Sequence, residues 1–443
     1  MILRVRSLAS LPVQGPARLV DSVLALVAIP SAASGAYLAV LAALARRRGR
    51  GPRSDDVRLS VVVPAHDEAS DIADTVASLL RTEYPTDRRR IVVVADNCTD
   101  DTAAIARKAG AEVIERSDPY RRGKGFALDH AFGLLLAEDW TDAVVVVDAD
   151  TLVDPGLLRS LAGRLAEGEL AVQADYQVRN PGDSWRTRLL HIAFTAFHEV
   201  RSSGRERLGV SCGLRGNGMA FSREALARVP HDAHSIVEDL EYGIRLGQAG
   251  IRVAYAGDVA VHGKMPSDGA SSKSQRARWE QGRAQLRKRD GRRLVLQAVQ
   301  RRDRVLADLA ADLWVPPIGQ VVSALSIGLV AGIATGHVAG RHHAAWINAA
   351  GLLGVGAHVA RGWQRSGTGA AGLLDLGRAP VYVGWKLLDK VRSRRAGDPS
   401  APTEWVRTAR TATGPLAADP GQTHQGSVVD ADSAVTARFE GAS

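Results

Sequence analysis

From Leu59 onward, four short apolar runs alternate with segments of helical spacing, and this alternation limits the possible folds more than any other feature of the chain. The runs cover residues 59–63, 91–95, 112–114 and 143–147. Between the first two, Ile72, Val76, Leu79 and Leu80 fall at helical spacing and predict one buried helix face. Strands separated by helices of this length imply βαβ units and a mainly parallel sheet, hence the α/β class. Sheets of that kind bind ligands beyond the carboxyl ends of their strands. The loops after Val63, Ala95 and Val147 are therefore where chemistry is expected.

Long apolar runs flank this pattern. Residues 23–45 carry no charge, are long enough to cross a bilayer, and are followed at once by Arg46, Arg47, Arg48, Arg50 and Arg53. A cleavable signal peptide is the rival reading, but the run exceeds a typical apolar core and the arginines oppose export of the domain after them. The expected organisation is an N-terminal segment at 1–22, a transmembrane helix at 23–45, a basic linker at 46–56 and an α/β domain at 57–285. An amphipathic segment at 286–312 then lies on a membrane surface or is a solvated surface helix. Transmembrane helices at 313–339 and 344–360 form a hairpin about Arg341, His342 and His343, with Pro316 and Pro317 near its start. Residues 370–391 contain Asp375, Arg378, Lys386, Asp389 and Lys390. A central charge costs roughly 2.5–3.5 kcal/mol on insertion scales, so this run reads as an interfacial helix rather than a span. Residues 411–443 have few large apolar side chains and read as a disordered tail.

The net charge of +9 comes from arginines set beside the apolar runs, a placement that fits cytoplasmic membrane flanks and argues against a nucleic-acid face. The two cysteines, Cys98 and Cys212, have no metal-ligand spacing and suit a reducing compartment.

The strongest chemical signal is Asp148-Ala149-Asp150, directly after four valines. Alternate residues of an extended chain face the same side, so both carboxylates can meet one Mg²⁺ or Mn²⁺ and the diphosphate it carries. Three further pieces stand in order before it. Pro64-Ala65-His66-Asp67-Glu68 ends the first strand, Asp96 tips the second while Asp100 can cap the next helix, and Arg121-Arg122-Gly123-Lys124-Gly125 is a basic, flexible loop suited to phosphate. After it, Gly213-Leu214-Arg215-Gly216-Asn217-Gly218 either lets backbone approach a ligand or makes a tight turn. Glu238-Asp239 sits at a helix start, where the helix dipole alone would favour acids. Gln275-Arg276-Ala277-Arg278-Trp279 can anchor at an interface, or stack a sugar ring and hold phosphate.

Taken in this order, the set resembles the family 2 glycosyltransferases, and within them the membrane-embedded branch similar to cellulose, chitin, hyaluronan and poly-N-acetylglucosamine synthases. The resemblance covers roughly residues 59–282. It implies the GT-A fold and an inverting, metal-dependent transfer of a hexosyl or N-acetylhexosaminyl group from a nucleotide-sugar, with UDP the family's leaning. It further implies that Pro64, Glu68, Asp96, Lys124 and Asp148 bind the nucleotide-sugar and that Asp148 and Asp150 hold the metal. In the same way it assigns Asp239 as catalytic base, and Glu238, Gln275, Arg278 and Trp279 to the acceptor and diphosphate site. The implied product is cell-surface or extracellular polysaccharide, made at the cytoplasmic membrane with the catalytic domain inside and a possible secretion partner. Single addition to a lipid-linked sugar is the alternative, and an inactive component of a secretion complex is the alternative of another class. A nucleotidyl or phosphoryl transferase would share Asp-x-Asp but would not need Glu-Asp followed by Gln-x-x-Arg-Trp. Two departures stand out: Val237 replaces the Thr usual before Glu-Asp, and two or three spans are few for a self-contained translocation channel. His262 is a candidate late metal ligand or a structural histidine, and Glu404 to Thr408 resemble the C-terminal end of bacterial exopolysaccharide transferases.

Overall fold

The valine-rich runs form the centre of a single eight-stranded sheet in the computed structural model, which describes residues 11–46, 49–265 and 269–378, without the side chains of 11–13 and 269–276. In chain order, α1 (Leu11–Leu44) precedes β1 (Leu59–Ala65), α2 (Ile72–Leu80), β2 (Arg89–Asp96), α3 (Thr102–Lys108), β3 (Glu112–Arg116), α4 (Lys124–Ala137) and β4 (Ala143–Val146). Then come β5 (Thr151–Val153), α5 (Leu157–Ala166), β6 (Ala171–Val178), α6 (Trp185–Phe194), a π-helical turn (Thr195–Val200), α7 (Arg201–Arg207), β7 (Met219–Ser222) and α8 (Arg223–Arg228). The last elements are α9 (Glu238–Gln248), β8 (Val253–Gly263), α10 (Gly269–Arg301), α11 (Arg304–Trp314), α12 (Ile318–Ala339) and α13 (His343–Ser366).

The sheet order is β3-β2-β1-β4-β7-β6-β8-β5. β1 pairs in parallel with β2 and β4, as do β2 with β3 and β6 with β8, whereas β7 runs antiparallel to β4 and β6, and β5 to β8. The expected parallel half is therefore β1 to β4, and the second half is mixed. Side-chain alternation divides the core. Val61, Val63, Val93 and Val145 pack with Ile72, Val76 and Leu79 of α2 and with Leu157, Leu158 and Leu161 of α5. On the other face, Val62, Val92, Val94, Val144 and Val146 pack with Ala127, Leu128, Ala131 and Phe132 of α4. Leu80, expected on the buried face of α2, is instead 37% exposed at the helix end.

Several expected boundaries move. The polarity change at residue 285 falls inside α10, which runs unbroken through Arg283–Arg293 because that stretch contains no proline. The helix itself breaks at Arg302, in the left-handed region with φ 51°, followed by Asp303, whose Oδ1 accepts the N–H groups of Val305 and Leu306 and caps α11. Leu313 and Trp314 close α11, and α12 starts only after Pro317, whose ring suits a helix start. α1 begins well before residue 23. Residues 369–378 are helical, but 379–391, 404–408 and 411–443 lie outside the described residues.

α1 and α12 are the two helices long and apolar enough to cross a membrane among the described residues, and only 22% and 17% of their apolar windows are buried. The third expected span, now α13, packs beside α1 so closely that a Cβ on Gly35 would sit 2.4 Å from the Gly351 carbonyl oxygen. Its buried face carries polar Asn348 and His358. At one end of this bundle Arg341 lies 3.5 Å from Asp21. At the other, Arg361 donates to the Ala45 carbonyl at 2.7 Å.

Buried ion pairs tie the helices to the sheet domain. Arg205 Nε donates to Asp308 Oδ2 at 2.6 Å, while the Tyr37 hydroxyl of α1 donates to Asp308 Oδ1 at 2.9 Å. Asp308→Ala leaves the fully buried Arg205 with only the more distant Asp312, 3.8 Å away, and is expected to cost about 3 kcal/mol, read as a lowered unfolding midpoint of the purified protein. An unchanged midpoint would show that this link is not needed for stability.

Candidate active site

Four loops meet at the carboxyl ends of β1, β2 and β4. Ala149, between the two acids after β4, buries its methyl in the core, leaving Asp148 and Asp150 half-buried on the open side. Asn217 fixes this turn from behind. Its fully buried carboxamide accepts the Asp148 N–H at 3.1 Å and donates to Thr151 Oγ1 at 2.9 Å. The Asn217 carbonyl in turn accepts from Gln173 Nε2 at 2.7 Å.

Lys124 is the first residue of α4. The helix can start there because Gly123 takes φ 121° and Gly125 lacks a Cβ, which would lie 2.3 Å from the Ala233 carbonyl oxygen. Lys124 Nζ donates to Asp148 Oδ1 and to the Gly216 carbonyl, both at 2.5 Å, and lies 4.0 Å from Glu238 Oε1. Burial pushes its ammonium pKa down, but Asp148, Glu238 and Asp239 outweigh burial and the net shift is upward.

Glu238 and Asp239 open α9 as expected, and the Asp239 Oδ1 accepts the Leu240 N–H at 2.8 Å. Gly216, at φ 80°, closes the approach, since a Cβ there would stand 3.5 Å from Asp239 Oδ2 and 3.6 Å from Lys124 Nζ. Both carboxyls are pushed up from the ordinary carboxylate range. For Glu238 burial leads and its neighbour Asp239 adds to it, against Lys124; for Asp239 burial wins over the Leu240 N–H, Lys124 and Arg215.

Asp96 is 5% exposed and its Oδ1 accepts from Arg116 Nη1 at 2.5 Å. Arg116 was not among the expected residues, although it ends β3 directly opposite Asp96 in the parallel register. His66 Nδ1 lies 2.7 Å from the Asp96 carbonyl oxygen, which joins the Pro64–Glu68 turn to the tip of β2. The Glu68 N–H donates to Thr102 Oγ1 at 2.8 Å. Asp100 Oδ1 accepts the Thr102 N–H at 3.0 Å and its Oδ2 the Ala69 N–H at 3.2 Å, while the cap position of α3 itself is held by Asp101 rather than by the expected Asp100. His262, on β8, has its Nε2 2.8 Å from Asp154 Oδ1.

On α10, Trp279 is 39% exposed and its ring centre lies 6.2 Å from that of Phe194. Arg278 is half-buried beside it. Gln275 falls on the same helix, but its side chain lies outside the described residues.

Asp148 and Asp150 lie in the turn between β4 and β5 rather than on an extended strand, and their half-buried carboxylates are hard oxygen donors of the kind that fits Mg²⁺ or Mn²⁺.

Residues 57–282 match the family model for glycosyltransferase like family 2, which is half of the chain. The chain is 27% identical over 234 residues to the probable glycosyltransferase YdaM of Bacillus subtilis, covering 51% of this chain and 55% of that protein. It is 29% identical over 234 residues to the beta-monoglucosyldiacylglycerol synthase of Synechocystis, covering 51% of this chain and 47% of that protein. The chain thus spans about half the length of these relatives. The solved mannosyltransferase PcManGT of Pyrobaculum calidifontis, in complex with GDP-Man and Mn²⁺, aligns over 81% of this chain and 98% of that one, with TM-score 0.49 and 20% identity. With Asp148-x-Asp150, Lys124 and Glu238-Asp239 brought together on a sheet of this topology and the family model spanning the whole of it, the chain belongs to the family 2 glycosyltransferases, with a GT-A type α/β domain.

Proposed function

We propose that the chain is an inverting, metal-dependent glycosyltransferase that moves a sugar from a nucleotide-sugar, UDP-linked by the family's leaning, to the hydroxyl of a glycan or lipid-linked acceptor at a membrane. The observation that carries this reading is the meeting of Lys124 with Asp148 and Glu238 beside Gly216 and Asp239. Asp148 and Asp150 would hold Mg²⁺ or Mn²⁺, which supplies positive charge to the departing diphosphate.

The remaining steps belong to the chain's own side chains. Asp96, held by Arg116, and the Pro64–Glu68 turn receive the nucleoside. Lys124 adds a fixed positive charge on the diphosphate side. Asp239 takes the proton of the acceptor hydroxyl as that oxygen attacks the anomeric carbon. Glu238 stands beside it as a second acid. Trp279 gives the acceptor sugar a flat apolar surface, and Arg278 and Gln275 complete that side. One displacement by one oxygen inverts the anomeric centre.

The raised Asp239 pKa sets a pH dependence. The base works only when ionised, and its pKa lies above the usual carboxylate range. Activity should therefore be full at high pH and fall, as pH drops, at a pH above the ~4 where an ordinary Asp titrates. The profile of kcat/KM against pH reads this directly, because it reports the free enzyme. An acidic limb at or below pH ~4 would contradict the assignment.

α1 and α12 are read as spans with the catalytic domain in the cytoplasm. Ala45, which directly precedes Arg46, and the Arg341 loop lie at opposite ends of the bundle, which supports this orientation. A membrane-impermeant thiol reagent should label His342→Cys in intact cells and should leave Tyr120→Cys unlabelled. Labelling at position 120 would reverse the topology.

Single addition is favoured over chain extension through this chain alone. The Gly35–Gly351 approach, and a Gly332 whose Cβ would lie 2.6 Å from the Ala345 nitrogen, leave no room for a glycan between α1, α12 and α13. A polysaccharide product would need a secretion partner. The enzyme class is tested by screening membranes against labelled UDP-, GDP- and dTDP-sugars: release of the nucleoside diphosphate supports glycosyl transfer, and transfer of the nucleotide itself overturns it.

A further inference from the structure

Between the catalytic acids and the α1–α13 bundle lies a layer of arginines that the proposed reaction leaves unused. Arg201 and Arg205 stand on α7, Arg283 on α10, and Arg215 one residue before Gly216. α11 supplies two counter-charges. Arg205 is bound to Asp308, Arg201 Nη1 lies 3.4 Å from Asp312 Oδ1, and Arg283 Nη2 lies 3.2 Å from Asp312 Oδ2. The Arg215 side chain donates to the Cys212 carbonyl at 3.0 Å, while its backbone N–H donates to Gln173 Oε1 at 2.8 Å.

The guanidinium carbons of Arg201 and Arg215 stand over the same Phe197 ring, 4.8 and 4.4 Å from its centre. Arg201 is 3% exposed and Arg215 9%. The Nε of each is buried with no acceptor among the described residues, as is Nη2 of Arg205. Two like charges held at one ring repel, and an unmet charged N–H in a dry site is costly. Burial pushes Arg201 down to about 10, with Arg283 and Arg215 pushing the same way against Asp312. An anion placed here would relieve both effects.

The position relates this layer to the acceptor. Gly216, next to Arg215, borders Asp239. A run of rings leads inward from exposed Trp279 through Phe194 and His198 to Phe197, with centres 6.2, 4.7 and 5.1 Å apart. α7 itself lies against α1, since a Cβ on Gly204 would be 2.5 Å from the Leu41 carbonyl oxygen.

We propose that Arg201 and Arg215, set over Phe197, form an anion subsite for the acceptor, and that the acceptor bears a phosphate beside its attacking hydroxyl. This rests on the glycosyltransferase reading. In the step, the hydroxyl oxygen bonds to the anomeric carbon and its proton passes to Asp239. The bond from that carbon to the diphosphate oxygen breaks, its electron pair leaves with the nucleoside diphosphate, and the acceptor phosphate keeps all its bonds. A lipid phosphate and a soluble sugar or polyol phosphate share this chemistry.

The test uses the full chain in detergent micelles, with the nucleoside diphosphate found in the donor screen and Mg²⁺ present. The probes are glycerol 3-phosphate, phosphatidylglycerol in the micelles, and diacylglycerol as the phosphate-free control. Wild type should bind at least one phosphate probe and prefer it to diacylglycerol. Binding of phosphatidylglycerol alone would assign a lipid source, and binding of glycerol 3-phosphate a soluble one. Arg215→Gln should weaken that binding about tenfold or more, as expected for a lost charged hydrogen bond, with nucleotide affinity unchanged. Arg215→Lys should restore part of it. Arg201→Lys, which keeps the charge pair with Asp312, should weaken probe binding too and guards against misfolding of the first variant. Equal affinity for phosphate probes and diacylglycerol overturns the proposal, as does parallel loss of nucleotide binding in the variants. A wild type that binds no nucleotide would instead overturn the glycosyltransferase reading on which it depends.

Discussion

Asp239→Asn is expected to cut turnover by about 10²–10⁴-fold, the usual scale for losing a general base, with the nucleotide-sugar still bound. The size reflects what remains at the site. The asparagine keeps the volume and can still accept the Leu240 N–H, so α9 keeps its start. It cannot take a proton at neutral pH. Lys124, bound to Asp148 and the Gly216 carbonyl, is untouched, so the donor side is preserved. Glu238 is the internal control. It stands 4.0 Å from Lys124, whereas Asp239 faces the Gly216 turn. A crippled Glu238→Gln beside a benign Asp239→Asn would show that the base is Glu238 instead. Initial rates and donor binding on the same preparation separate these cases.

Asp150→Asn is expected to lower turnover by about 10³-fold, the equivalent of several kcal/mol of charge stabilisation on the leaving diphosphate. Excess chelator should do the same to wild type, with recovery on adding Mg²⁺ or Mn²⁺. The fold should survive, because Asp150 is half-buried, the asparagine can still accept from Thr151 Oγ1, and Asn217 braces the turn through the Asp148 N–H and Thr151. Full activity in excess chelator would remove the metal from the account.

The first half of the sheet was legible because β1, β2 and β4 are buried on both faces and so read as unbroken valine runs. β6 to β8 were not. Their residues, such as Ala254, Ala256, Gly257 and Ala260 of β8, are small and show no clear alternation, and their order in the sheet depends on long-range pairing. The acids of the site were legible by type and order, since each stands at a strand end or helix start. Arg116 was not, because only the β2–β3 register sets it against Asp96. The role of Asn217 was hidden likewise: the glycines around it drew attention to backbone freedom, whereas its side chain is what braces Asp148. Leu80 fits the apolar pattern of α2 but is its last residue and lies at the edge of the apolar stripe, while neighbouring Leu79 takes the core position. The boundary placed at residue 285 lies within α10, close to the end of the family match at residue 282, because a helix can turn basic without ending.

The central claim is a single displacement at the anomeric carbon with Asp239 as base. The measurement that tests it most directly is the anomeric configuration of the product, read by NMR after transfer from an α-linked nucleotide-sugar, with the released nucleoside diphosphate quantified in the same reaction. The account predicts a β-linked product and one nucleoside diphosphate per sugar transferred. An α-linked product would contradict it.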